Sequence, residues 1–219
     1  MGKSQLDAEE EEIILIGFFK ETFELCKELG YRIKGAVMPD DVPDIDIGVA
    51  LWKSDEAFIG QKQKYLNTKL VIVPDRPLIR EKLFIRYGQE GFQFKNIISP
   101  LSFISETAHL GEGCFVQTGC HISANTVIGN GVRLNVNATV MHDCSIKAYA
   151  SIAPGAVLLG GCQIGKCSYI GANATILPGI KVGDNTLIGA GSVVTRDVES
   201  HTVVMGNPAK YRENNDERR

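Results

Sequence analysis

The sequence predicts two units in series: a small α/β unit built on a parallel sheet, then a parallel β-helix. Three observations carry this. From Leu110 to Val194 every sixth residue is aliphatic without a slip: Leu110, Val116, Ile122, Ile128, Leu134, Val140, Ile146, Ile152, Leu158, Ile164, Ile170, Ile176, Val182, Ile188 and Val194. Two residues before most of these sits a small side chain, such as Cys114, Ala138, Cys144 or Ala174, with Val132 and Ile180 the larger exceptions. Ahead of residue 98 that period is absent, and short apolar runs alternate with a helical pattern instead.

The repeat itself dictates its geometry. The aliphatic and small positions are two residues apart, so they share one face of a strand. Three residues after the aliphatic one comes Gly, Asn or Asp, as in Gly113, Gly119, Asn125, Gly131, Asn137, Asp143, Gly155, Gly161, Asn173, Gly179, Asn185 and Gly191. These reach left-handed backbone most cheaply and so mark corners. A short strand, a corner and a period of six describe a hexapeptide β-helix; an amphipathic helix would need a period near 3.6.

In chain order, residues 1 to about 12 read as a solvated lead-in. Ile13–Ile16 is a short buried strand ending at Gly17, and Phe19, Phe23, Cys26 and Leu29 then mark one face of a helix that stops at Gly30. A second strand over Arg32–Val37 completes a βαβ unit and is closed by Asp40 and Asp41. Strands at Val49–Leu51 and Leu70–Val73 and a helix over Pro77–Tyr87 continue the alternation, which argues for a Rossmann-like parallel sheet flanked by helices. Phe94–Ser105 reads as a transition broken at Pro100, and the end from Asn214 to Arg219 reads as too polar to pack. The implied divisions are 1–95, 96–206 and a tail over 207–219.

Composition narrows the function. With a net charge of −3 and no basic run, nucleic acid and anionic membrane are poor partners. No stretch is long and apolar enough to span a bilayer, and the lead-in, with Glu9–Glu12, is acidic where a secretory signal is basic and then apolar. A cytoplasmic protein is expected. Cys114, Cys120, Cys144 and Cys162 occupy the small inward position as compact core filler, and the cysteine spacing is not that of a metal site. In a reducing compartment they are expected to stay unbridged.

Two places carry candidate chemistry. Ligands of open parallel sheets bind beyond the carboxyl ends of the strands, where Gly17, Phe18, Asp40, Asp41 and Asp75 fall. They form either a nucleotide pocket or a capped loop with Phe18 in the core. On the repeat, His142 projects from a corner with Asp143 beside it, as either a solvated corner histidine or a general base whose tautomer the carboxylate sets.

The runs Asn137-Ala-Thr-Val-Met-His142-Asp143-Cys-Ser-Ile146, Ile152-Ala-Pro-Gly155, Leu159-Gly-Gly161, Ile170-Gly-Ala172, Pro178-Gly179, Gly189-Ala-Gly-Ser-Val-Val-Thr195 and Gly206-Asn-Pro-Ala209 resemble the left-handed β-helix acyltransferases of the sialic acid O-acetyltransferase type. Among these the chain is most similar to the bacterial enzymes that N-acetylate nucleotide-linked 4-amino-4,6-dideoxy sugars. The resemblance implies a left-handed β-helix with about three hexapeptides per coil, a homotrimer with sites between subunits, acetyl-CoA as co-substrate and no metal. It implies His142 as the base that acts on the sugar amine, polarised by Asp143, and a UDP-, dTDP- or GDP-linked amino sugar bound with Gly17, Phe18, Asp40, Asp41 and Asn135. Two departures stand out: Ser151 replaces a frequent histidine at an acetyl-CoA contact, and Gly17-Phe18-Phe19-Lys20 replaces a Gly-x-Gly-Gly loop.

With that coil length, residues 18 apart stack. The column Ala124, His142, Gly160, Pro178 leaves space at Gly160, whose N–H, or that of Gly161, would meet a thioester oxygen. The column Val136, Pro154, Ala172, Ala190 is small enough for a pantetheine arm, and Asn130, Ala148, Lys166, Asp184 would face water. An outward apolar stripe of Met141, Leu159 and Leu177 would mark the subunit interface. Competing expectations are an O-acetyltransferase on sialic acid or a related sugar, a non-catalytic nucleotide-sugar-binding β-helix protein, and a zinc carbonic anhydrase. The last needs three converging histidines, whereas His109, His121 and His142 fall on unrelated positions.

Overall fold

The computed structural model describes residues 11–38 and 48–215. The first unit is a four-stranded, all-parallel sheet of β1 (Glu12–Ile16), β2 (Arg32–Val37), β3 (Ala50–Trp52) and β4 (Lys69–Ile72), in the order β3-β2-β1-β4. Helices α1 (Lys20–Glu28), α2 (Asp55–Ile59) and α3 (Pro77–Gln89) connect or follow the strands. Ile13 to Ile16 are buried on both faces, which is why that run reads as continuously apolar rather than alternating. In α3, Pro77 occupies the first turn, where its missing N–H costs nothing. Arg80, Phe84 and Tyr87 then recur at helical spacing on the buried face. That spacing delivers the Arg80 guanidinium and the Phe84 ring into the seam with the second unit, while Tyr87 packs inside the first unit against Phe58 and Phe92.

The second unit is a parallel β-helix of two-residue strands. Each strand pairs with the one a coil later, as Thr139 with Val157 and Thr175 with Val193, so a coil holds three hexapeptides. The strands form three parallel sheets, here called the seam, bare and open sheets. The seam sheet carries Phe115, Arg133 and Ser151 outward, the bare sheet Val127, Ser145 and Gln163, and the open sheet Phe103, His121, Thr139 and Val157. The inward aliphatics from Val116 to Val194 are all buried and, with the small inward residues, make one continuous core.

The structure departs from expectation in four places. Ile97–Ile98 and Phe103–Ile104 already pair with the next coil, so the β-helix begins within the segment expected to be a transition. All twelve Gly, Asn and Asp corners have positive φ, and so do Tyr149 (63°) and Cys167 (56°), which residue type alone does not suggest. Stacking fixes those two: their N–H groups donate to Asn130 and Ala148 of the preceding coil, and that ladder holds only in the left-handed conformation of every other corner. The column from Asn130 does not simply face water, because α3 abuts it: Tyr149 lies 5.4 Å from Phe84 and Lys166 pairs with Glu81. Finally, Lys210–Asn214 forms a strand antiparallel to Thr202–Met205, and Asn215 donates to Asn185 and His201, so the chain around Asn214 packs despite its polarity.

Candidate active site

The chemistry concentrates on the corner between the open and bare sheets. His142 Nδ1 lies 2.7 Å from Asp143 Oδ2, and the other carboxylate oxygen accepts from Asn125 Nδ2 at 3.1 Å. The bond to His142, and secondarily that to Asn125, holds the Asp143 carboxyl below its ordinary range. An ionised carboxylate only accepts, so Nδ1 is the donor and Nε2 keeps a free lone pair. The imidazole lies over Gly160: a Cβ there would sit 2.7 Å from Cε1 and 2.8 Å from Nε2. The space at Gly160 is thus filled by the histidine ring rather than left open, and only glycine admits it. The Gly161 N–H already donates to the His142 carbonyl at 2.9 Å, which removes it as a donor to substrate. The Gly160 N–H has no partner among the described residues.

A second concentration of charge lies at the seam. Arg80, only 2% exposed, donates to the carbonyls of Gly131, Pro74, Asp75, Tyr149 and Ala150 and to Ser151 Oγ. Burial pushes its guanidinium down to about 10, with Arg133 adding repulsion and Asp75 opposing it. Arg133 is buried as well; it donates to the Val73 carbonyl, reaches Thr22 Oγ1 at 3.4 Å and stacks over Phe115 at 4.3 Å. Asp75, 3.8 Å from Arg133 Nε, is the carboxylate that pairs with it. Both buried cations therefore hold the turn that follows β4, Arg80 at Pro74 and Asp75 and Arg133 at Val73, and Arg133 also reaches the first turn of α1 at Thr22.

The other expected site residues are dispersed. Ser151 is fully buried, with its hydroxyl taken by Arg80 and donating to the Asp75 carbonyl. The α/β unit covers that sheet, so Ser151 is not an acetyl-CoA contact. Phe18 packs into the core against Phe23, as the capped-loop alternative had it, and the ring exposed at this strand end is Phe19, at 52%. Asp40 and Asp41 lie outside the described residues. Asn135 donates its side-chain amide to the Ile152 carbonyl at 3.2 Å and, like Ala172 and Ala190, belongs to the corner between the seam and open sheets rather than to that of His142. Among the described residues, His142, Asp143 and Gly160 come together at one corner within one chain, and Ala172 and Ala190 stack on another. Asn125 was missed because its contact is with a residue 18 positions on, visible only once the coil length is applied.

His109 and His121 project from different sheets, and among the described residues no group of three His, Cys, Asp or Glu side chains converges on a metal position. All six cysteines, Cys144 and Cys162 included, are free. Among the described residues no helix is long and apolar enough to cross a membrane.

The family model "Bacterial transferase hexapeptide (six repeats)" matches residues 125–160 and 161–196. PerB from Caulobacter crescentus, solved in complex with CoA and GDP-perosamine, is 30% identical over 92% of this chain and 97% of its own, with a TM-score of 0.86. The acetyltransferase domain of PglB from Neisseria gonorrhoeae FA1090, solved with acetyl coenzyme A, is 28% identical over 93% of this chain and 100% of its own, with a TM-score of 0.83. The GDP-perosamine N-acetyltransferase of Escherichia coli O157:H7 is 33% identical over 94 residues, and the match spans 43% of this chain and 41% of that protein, less than half of its length. With a repeat, a corner dyad and a whole-chain likeness of this kind, the chain belongs to the hexapeptide-repeat family of bacterial nucleotide-linked amino-sugar acetyltransferases.

Proposed function

We propose that this protein is an acetyl-CoA-dependent N-acetyltransferase acting on the 4-amino group of a nucleotide-linked 4-amino-4,6-dideoxy sugar, for surface glycan biosynthesis in the cytoplasm. The observation that carries this is the His142-Asp143 pair laid over Gly160, with Nε2 free to take a proton. The neutral amine attacks the thioester carbon, a C–N bond forms and the C–S bond breaks. His142 Nε2 takes the amine proton and returns it to the departing sulfur. The oxyanion would be met by the Gly160 N–H, a donor worth about 2.7–4 kcal/mol at comparable sites. Whole-chain likeness to a protein solved with CoA and GDP-perosamine supports both substrates.

The reading includes a left-handed coil, with 96–206 as the β-helix, 207–219 as the tail, and 1–95 as a Rossmann-like nucleotide-sugar domain. The carboxyl end of β1 at Gly17, with Phe19 exposed beside it, supports nucleotide recognition there. It also includes a homotrimer. His142 and Asp143 are more than half exposed in one chain, and Met141, Leu159 and Leu177 stand half-buried next to them. A neighbouring subunit would cover the dyad and bring its column of Ala172 and Ala190 as a groove for the pantetheine arm. Six free cysteines support a reducing compartment.

The test is to incubate the protein with acetyl-CoA and a panel of UDP-, dTDP- and GDP-linked 4-amino sugars and to follow free CoA. One member of the panel should turn over, and His142→Ala should lower its kcat by about 10²–10⁴-fold with the fold intact. Turnover of hydroxyl acceptors alone would replace N- by O-acetylation; undiminished turnover by His142→Ala would remove the base.

A further inference from the structure

Resting on the base assigned to His142, we propose that Asn125 is a positioning residue for it, acting through Asp143. Asn125 Nδ2 donates to Asp143 Oδ1 at 3.1 Å while Asp143 Oδ2 holds His142 Nδ1 at 2.7 Å, so each carboxylate oxygen has one fixed partner. With only the imidazole bond the carboxylate could swing about its Cβ–Cγ axis and exchange oxygens. With both bonds the acceptor stays in the ring plane, the Nδ1–H tautomer is retained and Nε2 remains the base.

The neighbouring corner shows that this is not ordinary corner packing. There, glycine and asparagine alternate from coil to coil: a Cβ at Gly119 would lie 2.0 Å from Asn137 Oδ1, and one at Gly155 would lie 2.4 Å from Asn173 Oδ1. On that column each asparagine leans back over a glycine. On the catalytic column Asp143 leans back instead onto Asn125, an amide where glycine would satisfy the backbone with less strain, since φ there is 56°. The Asn125 N–H donates to Thr107 Oγ1 at 3.0 Å, which sets the turn that aims the amide.

Asn125→Gly tests this, because it removes the amide while relieving the left-handed backbone. The first readout needs no substrate: the ¹⁵N shifts of the His142 imidazole at alkaline pH should show the Nδ1–H tautomer in the parent and a mixture in Asn125→Gly. The second uses whichever sugar nucleotide of the panel turns over: kcat should fall about 10-fold, with KM for acetyl-CoA and sugar nucleotide unchanged and no loss of melting temperature. Asn125→Asp, which lacks the donor and adds a like charge, should be at least as slow. An unchanged tautomer and kcat in Asn125→Gly would overturn the proposal. Full turnover by His142→Ala would instead sink the base assignment, leaving the imidazole spectrum to decide whether Asn125 holds the pair.

Discussion

The seam and open sheets of the β-helix share one interior and differ entirely outside. On the seam sheet the outward side chains Phe115, Arg133 and Ser151 are buried by the α/β unit, and their polar atoms are matched to named carbonyls and hydroxyls. On the open sheet the outward residues include Phe103, exposed at 55% and stacked 4.7 Å from His121, and then the smaller Thr139, Val157, Thr175 and Val193. Inward positions therefore fix the coil, and the outward position of each hexapeptide decides what lies against it. The seam is specified by hydrogen bonds within the chain; the open side, with its small Thr and Val side chains and the apolar Met141, Leu159 and Leu177 at its corner, suits a surface that meets its partner later.

The sharpest way to break this contrast is at the corner of the open side. Leu159→Lys places a charge in the proposed subunit interface while leaving the inward Leu158 and the core untouched. Loss of both trimer and acetyltransferase activity is expected, with the β-sheet circular dichroism retained, by light scattering and assay on one sample. A fully active monomer would show that each chain holds a complete site.

The seam should fail in the opposite sense, through stability. Arg80→Met removes the donor to five carbonyls and a buried hydroxyl, and those groups cannot all find water. A loss of about 3–5 kcal/mol in urea unfolding is expected, as for breaking a buried charged network. A loss under about 1 kcal/mol would mean that packing of Phe84 alone carries the seam.

The corner between the two sheets gives the smallest effect. Asn173 is exposed with φ 55°, so Asn173→Ala should cost about 1–2 kcal/mol, whereas Asn173→Gly should be near neutral. Equal stabilities for the two would mean that the left-handed corners carry no strain.

How much was legible in the sequence follows the same division. The coil was legible because each rung repeats one inward chemistry, and the dyad was legible because His142 and Asp143 are adjacent. Asn125 was not, since its partner is a full coil away. Ser151 was read as a cofactor contact because a family position does not reveal that Arg80 has already taken the hydroxyl. The first sheet was legible to within a residue or two, as β2 and the start of α3 show, because β1 and β4 are apolar runs and Gly30 and Pro77 mark helix ends. Helix α2 was missed: at five residues it is too short to show a period, and its boundary is set by the Ser54 cap, whose oxygen accepts from Ala57 N–H at 3.2 Å. The strand at Lys210–Asn214 was hidden by polarity, because an outer strand needs no apolar face when its partner strand supplies the hydrogen bonds.

The Arg80 guanidinium also acts as a ruler. It touches Gly131 on one coil and Tyr149, Ala150 and Ser151 on the next, so it measures out a single 18-residue turn and tolerates no insertion inside it. Above Leu177 no hydrogen bond from the first unit reaches the coils among the described residues. Whole coils added there in steps of 18 would lengthen the proposed groove while the seam, the dyad and Asn125 stay where they are. A change that is not a multiple of six would move inward aliphatics onto the corners. The length of the β-helix is thus free to vary at one end of the molecule, and the corner of His142 is held to a fixed count at the other.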